Sequence, residues 1–125
     1  MTIAAAIAIG LLAILAMLQL ALALGAPLGA AAWGGGHPGI LPRRLRIASA
    51  VAGVLVYPII GLVVLSADGM IGAWLPFDST VAIWVLVVFF ALGAVVNAIS
   101  RSAPERIWSP VSATLAITCA VIALK

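Results

Sequence analysis

Three carboxylates, one histidine and one cysteine are all that this 125-residue chain offers for acid–base, metal or thiol chemistry. A nucleophile–base pair, a carboxylate pair or a metal cluster cannot be assembled from so short an inventory. An enzyme is therefore not expected, and no cofactor is implied. Charged residues make up 7% of the sequence, against about a quarter in ordinary soluble domains. The six basic residues are too few, and too little interleaved with aromatics, for nucleic-acid binding. Cys119 has no partner for an internal disulfide and lies in an apolar run, where it reads as a small buried hydrophobe.

What the chain has in abundance is hydrocarbon. Hydrophobic residues are 66% of it, more apolar surface than a domain of this size can hide from water, so the expected solvent is lipid. Four apolar segments are read at about 3–24, 45–66, 80–100 and 108–124. The first three match the roughly twenty residues that a helix needs to cross the hydrocarbon core. The fourth is short once counted from Pro110, and is expected to start early at the interface. Continuous apolar runs favour helices over the alternating strands of a barrel. The expectation is an all-α, polytopic membrane protein, one domain over 1–125, with four transmembrane helices in two hairpins. No Lys or Arg precedes the first segment and its run exceeds an ordinary signal h-region, so it is read as a retained helix. Pro27 closes that helix, and Pro104 is expected to break the third. Asp78 and Ser79 offer caps for the third helix, and Ser109 with Pro110 for the fourth. Pro58 cannot donate to the carbonyl of Val54, which predicts a kink in the second.

Orientation follows from the arginines. Arg43, Arg44 and Arg46 fall at the first connection and Arg101 and Arg106 at the third, whereas the second holds Asp68 and Asp78 without a basic residue. Basic residues mark the cytoplasmic side. The loops at 25–44 and 101–109 are therefore expected in the cytoplasm and both termini outside, in the plasma (inner) membrane. Trp33, Trp74, Phe77 and Trp108 suit interfacial anchoring.

Two polar stretches share that cytoplasmic side. The first, "AAWGGGHPGILPRRLR" (31–46), holds Gly34, Gly35, Gly36 and His37. Successive glycine amides can form a concave nest for an anion, and a histidine beside it can donate to the same group. The plainer reading is that these residues only turn the chain. The second stretch is "NAISRSAPERIWSP" (97–110). Phe89, Gly93, Asn97 and Arg101 are spaced by four and share a helix face. Ser100, Arg101, Ser102 and Arg106 supply the hydroxyls and guanidinium groups that grip a phosphate or carboxylate, and Glu105 is expected to pair with Arg101 or Arg106. If the first loop folds back against the end of the third helix, His37 and the glycine amides would face Asn97, Arg101 and Arg106 across one anion pocket, with Arg43 and Arg44 at the outer rim. The plainer alternative is a charged loop that only snorkels to anionic lipid.

Polarity within the bilayer is thin: Gln19, Tyr57, Thr114 and Thr118. No titratable carboxylate, amine or imidazole lies mid-helix, which argues against a proton- or cation-coupled carrier. The Ser49–Gly53–Tyr57–Gly61 and Ala6–Gly10 stripes suit close helix packing and a homodimer.

Small multidrug transporters and fluoride channels share this length and helix count. The first-helix glutamate of the former and the Thr-Phe-Ser motif of the latter have no counterpart here. The chain resembles instead an uncharacterised family of small four-helix bacterial integral membrane proteins. The likeness runs through Gly25, Pro27, Gly29, Trp33, Gly34, Gly35, His37, Gly39, Leu41, Pro42, Leu45 and Arg46, then Asn97, Ser100, Arg101, Ser102, Glu105, Arg106 and Pro110. It implies that both polar stretches matter and leaves the activity open. The expected function is a binding or transport protein with a cytoplasmic-face site for an anion or anionic lipid. The alternative is an accessory or scaffold subunit of a larger membrane complex.

Overall fold

The computed structural model describes residues 1–71 and 75–125. Helix α1 (Ile3–Ala23) begins where the Thr2 hydroxyl accepts the N–H of Ala5. It ends in a glycine cap: with Gly25 at φ 99°, the N–H groups of Gly25 and Ala26 reach the carbonyls of Leu22 and Ala21. The same device closes α2 (Arg43–Ala67), where Gly69 takes φ 83° and the Met70 N–H reaches the Leu65 carbonyl. Helix α3 (Ser79–Ala98) starts on Asp78, whose carboxylate accepts the Thr80 N–H at 2.9 Å, as expected. Helix α4 (Ala103–Ala123) is interrupted only at Ile107. All four are long and apolar enough to cross a bilayer. The chain is an all-α multi-pass membrane protein. The anchoring expected of Trp74 lies outside the described residues.

Two helix starts differ from expectation. Arg43 and Arg44 belong to the first turn of α2, and Pro104 opens α4 rather than merely ending α3. Proline suits the first turn of a helix because its missing N–H would have no partner there anyway. Ser109 is accordingly no cap. It sits inside the helix and its hydroxyl crosses to the carbonyl of Ala94 on α3, 2.8 Å away. Just ahead of Pro58, where a kink is predicted, the helix carries a π-turn over Ala52–Val56, with the Tyr57 N–H bonded to the Ala52 carbonyl.

Burial runs opposite to a soluble protein. Ile14, Val54, Val85 and Leu92 are exposed, while α4, the least apolar helix, encloses Ser112, Leu115, Thr118 and Cys119. Lipid solvates hydrocarbon at no cost, so hydroxyls and carbonyls are what must find partners. The Ser112 hydroxyl donates to the Phe90 carbonyl at 3.0 Å. Gly93 lies against it, and a Cβ there would come within 2.8 Å of that oxygen. Gly53 plays the same part between α2 and α1, with Leu20 and the Ala16 carbonyl against it. That stripe is thus occupied within one chain.

At the end opposite the polar loops, Asp68 ties three segments together. It accepts from the Thr2 N–H at 3.0 Å and the Thr2 hydroxyl at 2.7 Å, and it pairs with Lys125 at 2.7 Å. Burial alone would raise its pKa. The hydrogen bonds and charge from Lys125 and Thr2 outweigh burial and hold the carboxyl at about 2. A depressed carboxylate stabilises the fold above its unfolded pKa, about 3.9, and that contribution is lost as pH falls towards about 2. Lys125 is 41% exposed, so screening limits the ion pair to under about 1 kcal/mol. The melting temperature in detergent should drop between those two pH values for the native protein and drop clearly less for Asp68→Asn. Parallel curves would refute the clamp.

Candidate functional site: a lidded cavity at the polar end

Residues 24–42 fold over the polar end as a lid containing two short 3₁₀ turns, Gly29–Ala31 and Trp33–Gly35. The Gly29 N–H bonds to the Gly39 carbonyl at 2.8 Å and closes the loop on itself. Leu22, Ala32 and Leu41 form a small apolar core beneath. The lid was expected against the end of α3; its hydrogen bonds run instead to the start of α4, and through carbonyls rather than glycine amides. The Ala30 carbonyl accepts the Ser102 hydroxyl, and the Ala31 carbonyl accepts the Trp108 indole N–H at 2.9 Å. Trp33 takes φ 52°, followed by Gly34 at 79° and Gly35 at 73°. A non-glycine residue held in that region costs roughly 1–2 kcal/mol. Trp33 is kept there by its indole, which donates to the fully buried Ser49 hydroxyl on α2 at 2.9 Å.

Beneath the lid lies a cavity of about 690 Å³. It exists because α2 diverges: its second half packs on both α1 and α3, and its first half on α1. The wedge so left is walled by Leu18, Val56, Phe90 and Val111. Each helix also contributes a polar side chain to the lining: Gln19, Tyr57, Asn97 and Glu105. Glu105 is only 6% exposed, and its Oε2 has no hydrogen-bond partner among the described residues. The Oε1 of Gln19 is buried and unpartnered as well. A buried polar atom without a partner costs about 1–3 kcal/mol, more when charged. These two oxygens are acceptors awaiting donors.

The residues singled out from sequence divide around this cavity. Asn97 and Gly34 line it, and Gly93 and Phe89 share the Asn97 wall as their spacing implied. Gly35 lies so close to Ser102 that no side chain fits between them. The Ser100 hydroxyl accepts the Ser102 N–H at 3.2 Å. Gly36, His37, Arg101 and Arg106 are exposed and are not in the lining. The expected pairing of Glu105 with Arg101 or Arg106 does not form. Arg106 reaches instead to the Ser100 carbonyl at 2.9 Å, and Asp68–Lys125 is the ion pair found among the described residues. The reason is helical: neighbours on a helix point about 100° apart, so turning Glu105 inward sends Arg106 out.

Sequence reasoning passed over Glu105, Trp33 and Trp108 as site residues. The tryptophans are more than interfacial anchors, since each ties the lid to a helix. A signal was present: Glu105, Trp108, Val111 and Ser112 fall on one face once the helix starts at Ala103, and all four line the cavity. No family model matches the chain, and neither a curated protein nor a solved structure similar to it was found.

Proposed function

We propose that this is a plasma-membrane binding protein that holds an amphipathic small molecule or lipid in the lidded cavity at its cytoplasmic end. The observation that carries the reading is a large apolar cavity with unpartnered buried oxygens, the mixture that binding sites use to fix orientation. Exposed Val51, Phe89 and Val96 rim the wedge between α2 and α3, an entry from the lipid side. Ala8, Leu12, Val64 and Leu115 fill the other half of the bundle, which supports binding rather than passage. The exposed Arg43, Arg44, Arg101 and Arg106 lie at the cavity end, which supports a cytoplasmic orientation. Their exposure also favours a second reading, in which they grip an anionic lipid headgroup whose tail occupies the wedge.

Filling the cavity tests the proposal. Ala48 lines it, and Ala48→Phe should strip any co-purified amphiphile seen by native mass spectrometry of the unaltered protein. Retention of the same adduct by both would refute the assignment. For orientation, cysteines at Arg44 and at Met70, placed in Cys119→Ala protein, should label from opposite faces of intact cells, Met70 from outside. Labelling of Arg44→Cys from outside would reverse it.

A further inference from the structure

The proposed cavity leaves the chemistry of its occupant open, and its polar atoms narrow that chemistry. We propose that the cavity is selective for an ammonium head bearing N–H donors on a hydrocarbon tail, with Glu105 as the charged partner and Gln19 as a neutral one. This rests on the binding reading above.

Charge is the first ground. Glu105 is the carboxylate among the cavity's lining residues, and no Lys, Arg or His shares that lining. Its sequence neighbours Arg101 and Arg106 are exposed, and Arg106 is committed to the Ser100 carbonyl. A carboxylate taken out of water without a cation is among the costliest arrangements in a fold. A ligand cation removes that cost, and an anion would add to it. Hydrogen bonding is the second ground. The buried oxygens left over, Glu105 Oε2 and Gln19 Oε1, both call for donors, and on a cationic head those donors are N–H groups. A fully substituted ammonium would leave both unmet. The aromatic lining, Trp33, Phe90 and Trp108, is compatible with a cation. Shape is the third ground. The wedge between α2 and α3 is rimmed by apolar side chains that are exposed in the bundle, so a tail can stay in lipid while the head turns inward. A lipophilic free amine and an aminolipid both carry this head, and the experiment separates them.

The protein is reconstituted in phosphatidylcholine nanodiscs, whose headgroup has no N–H. Tryptophan fluorescence, which Trp33 and Trp108 bring to the site, is followed on titration with dodecylamine, a short-chain phosphatidylethanolamine, dodecanol or dodecyl sulfate. Saturable binding of either amine probe, weakened roughly tenfold or more in Glu105→Gln, is the expected result, since hydrogen bonds to a charged group are worth that much. Which amine binds tells the source. Gln19→Leu, which removes an acceptor without touching the charge, should weaken the amine several-fold and covers the case in which Glu105→Gln misfolds. Equal binding of dodecanol and dodecylamine, both indifferent to Glu105→Gln, would overturn the ammonium assignment and leave the cavity as a binding site. Preferential binding of dodecyl sulfate would overturn it in favour of an anionic lipid. Saturable binding of no probe would overturn the binding reading itself.

Discussion

Changing Gly35 to alanine is expected to release the lid, while the same change at the adjacent Gly36 leaves it in place. The run Gly34–Gly35–Gly36 is uniform in sequence and not in structure. Gly36 has φ −74° and open space around it, so alanine there is neutral or gains about 0.5 kcal/mol by narrowing the unfolded ensemble. Gly34 has φ 79° and also faces open space, so alanine should cost about 1 kcal/mol for the left-handed backbone alone. Gly35 combines φ 73° with a Cβ that would overlap the Ser102 side chain and press on the Ala30 carbonyl. Strain and overpacking together should cost about 3 kcal/mol. The loss should break the Ser102 and Trp108 hydrogen bonds to Ala30 and Ala31. Hydrogen exchange of the lid amides and melting in detergent read the three variants side by side. Equal effects at positions 35 and 36 would mean that Gly35 is not held against Ser102.

Leucine at Gly53 is expected to prise α1 from α2, and leucine at Gly61, two turns on, to do little. At Gly53 even a Cβ would lie 2.9 Å from the Leu20 side chain and 3.2 Å from the Ala16 carbonyl. Leu20 can swing away; the carbonyl belongs to a helix and cannot. A full leucine must therefore displace α1, with a cost of about 3 kcal/mol or more. At Gly61 the nearest atom, Ile9 Cδ1, is 3.7 Å off, an ordinary contact, and a leucine should cost under about 1 kcal/mol. Size-exclusion profile and melting temperature decide it. A Gly53→Leu protein as stable as Gly61→Leu would show that α1 and α2 do not approach closely at Gly53.

The four helices were legible because lipid removes the alternatives. A long apolar run in a bilayer must satisfy its own backbone, and only a helix does that within one segment. For the same reason, local chemistry placed the Asp78 cap correctly, since it depends on atoms a few residues apart, whereas at the predicted Pro58 kink the structure shows a π-turn over Ala52–Val56. The acceptor-lined cavity was another matter. It depends on Glu105 pointing inward, and that turned on starting α4 at Ala103 instead of around 108. On a helix, moving the start decides which polar side chain faces the bundle and which faces out. Read as a loop, Glu105 belonged with its neighbouring arginines; read as a helix, it parts from them. The apolar pattern could not settle this, because both ends of the stretch are polar and carry no periodic signal. Likewise, "WGGGHPG" announced a turn, but only the tertiary contacts of Trp33 with Ser49 and of Ala30 and Ala31 with Ser102 and Trp108 made it a lid. Composition determined the solvent and the four crossings. The inward direction of single polar side chains, and the cavity they line, came from packing between segments far apart in the chain, where the lowest-cost partner for each buried atom is a property of the whole bundle.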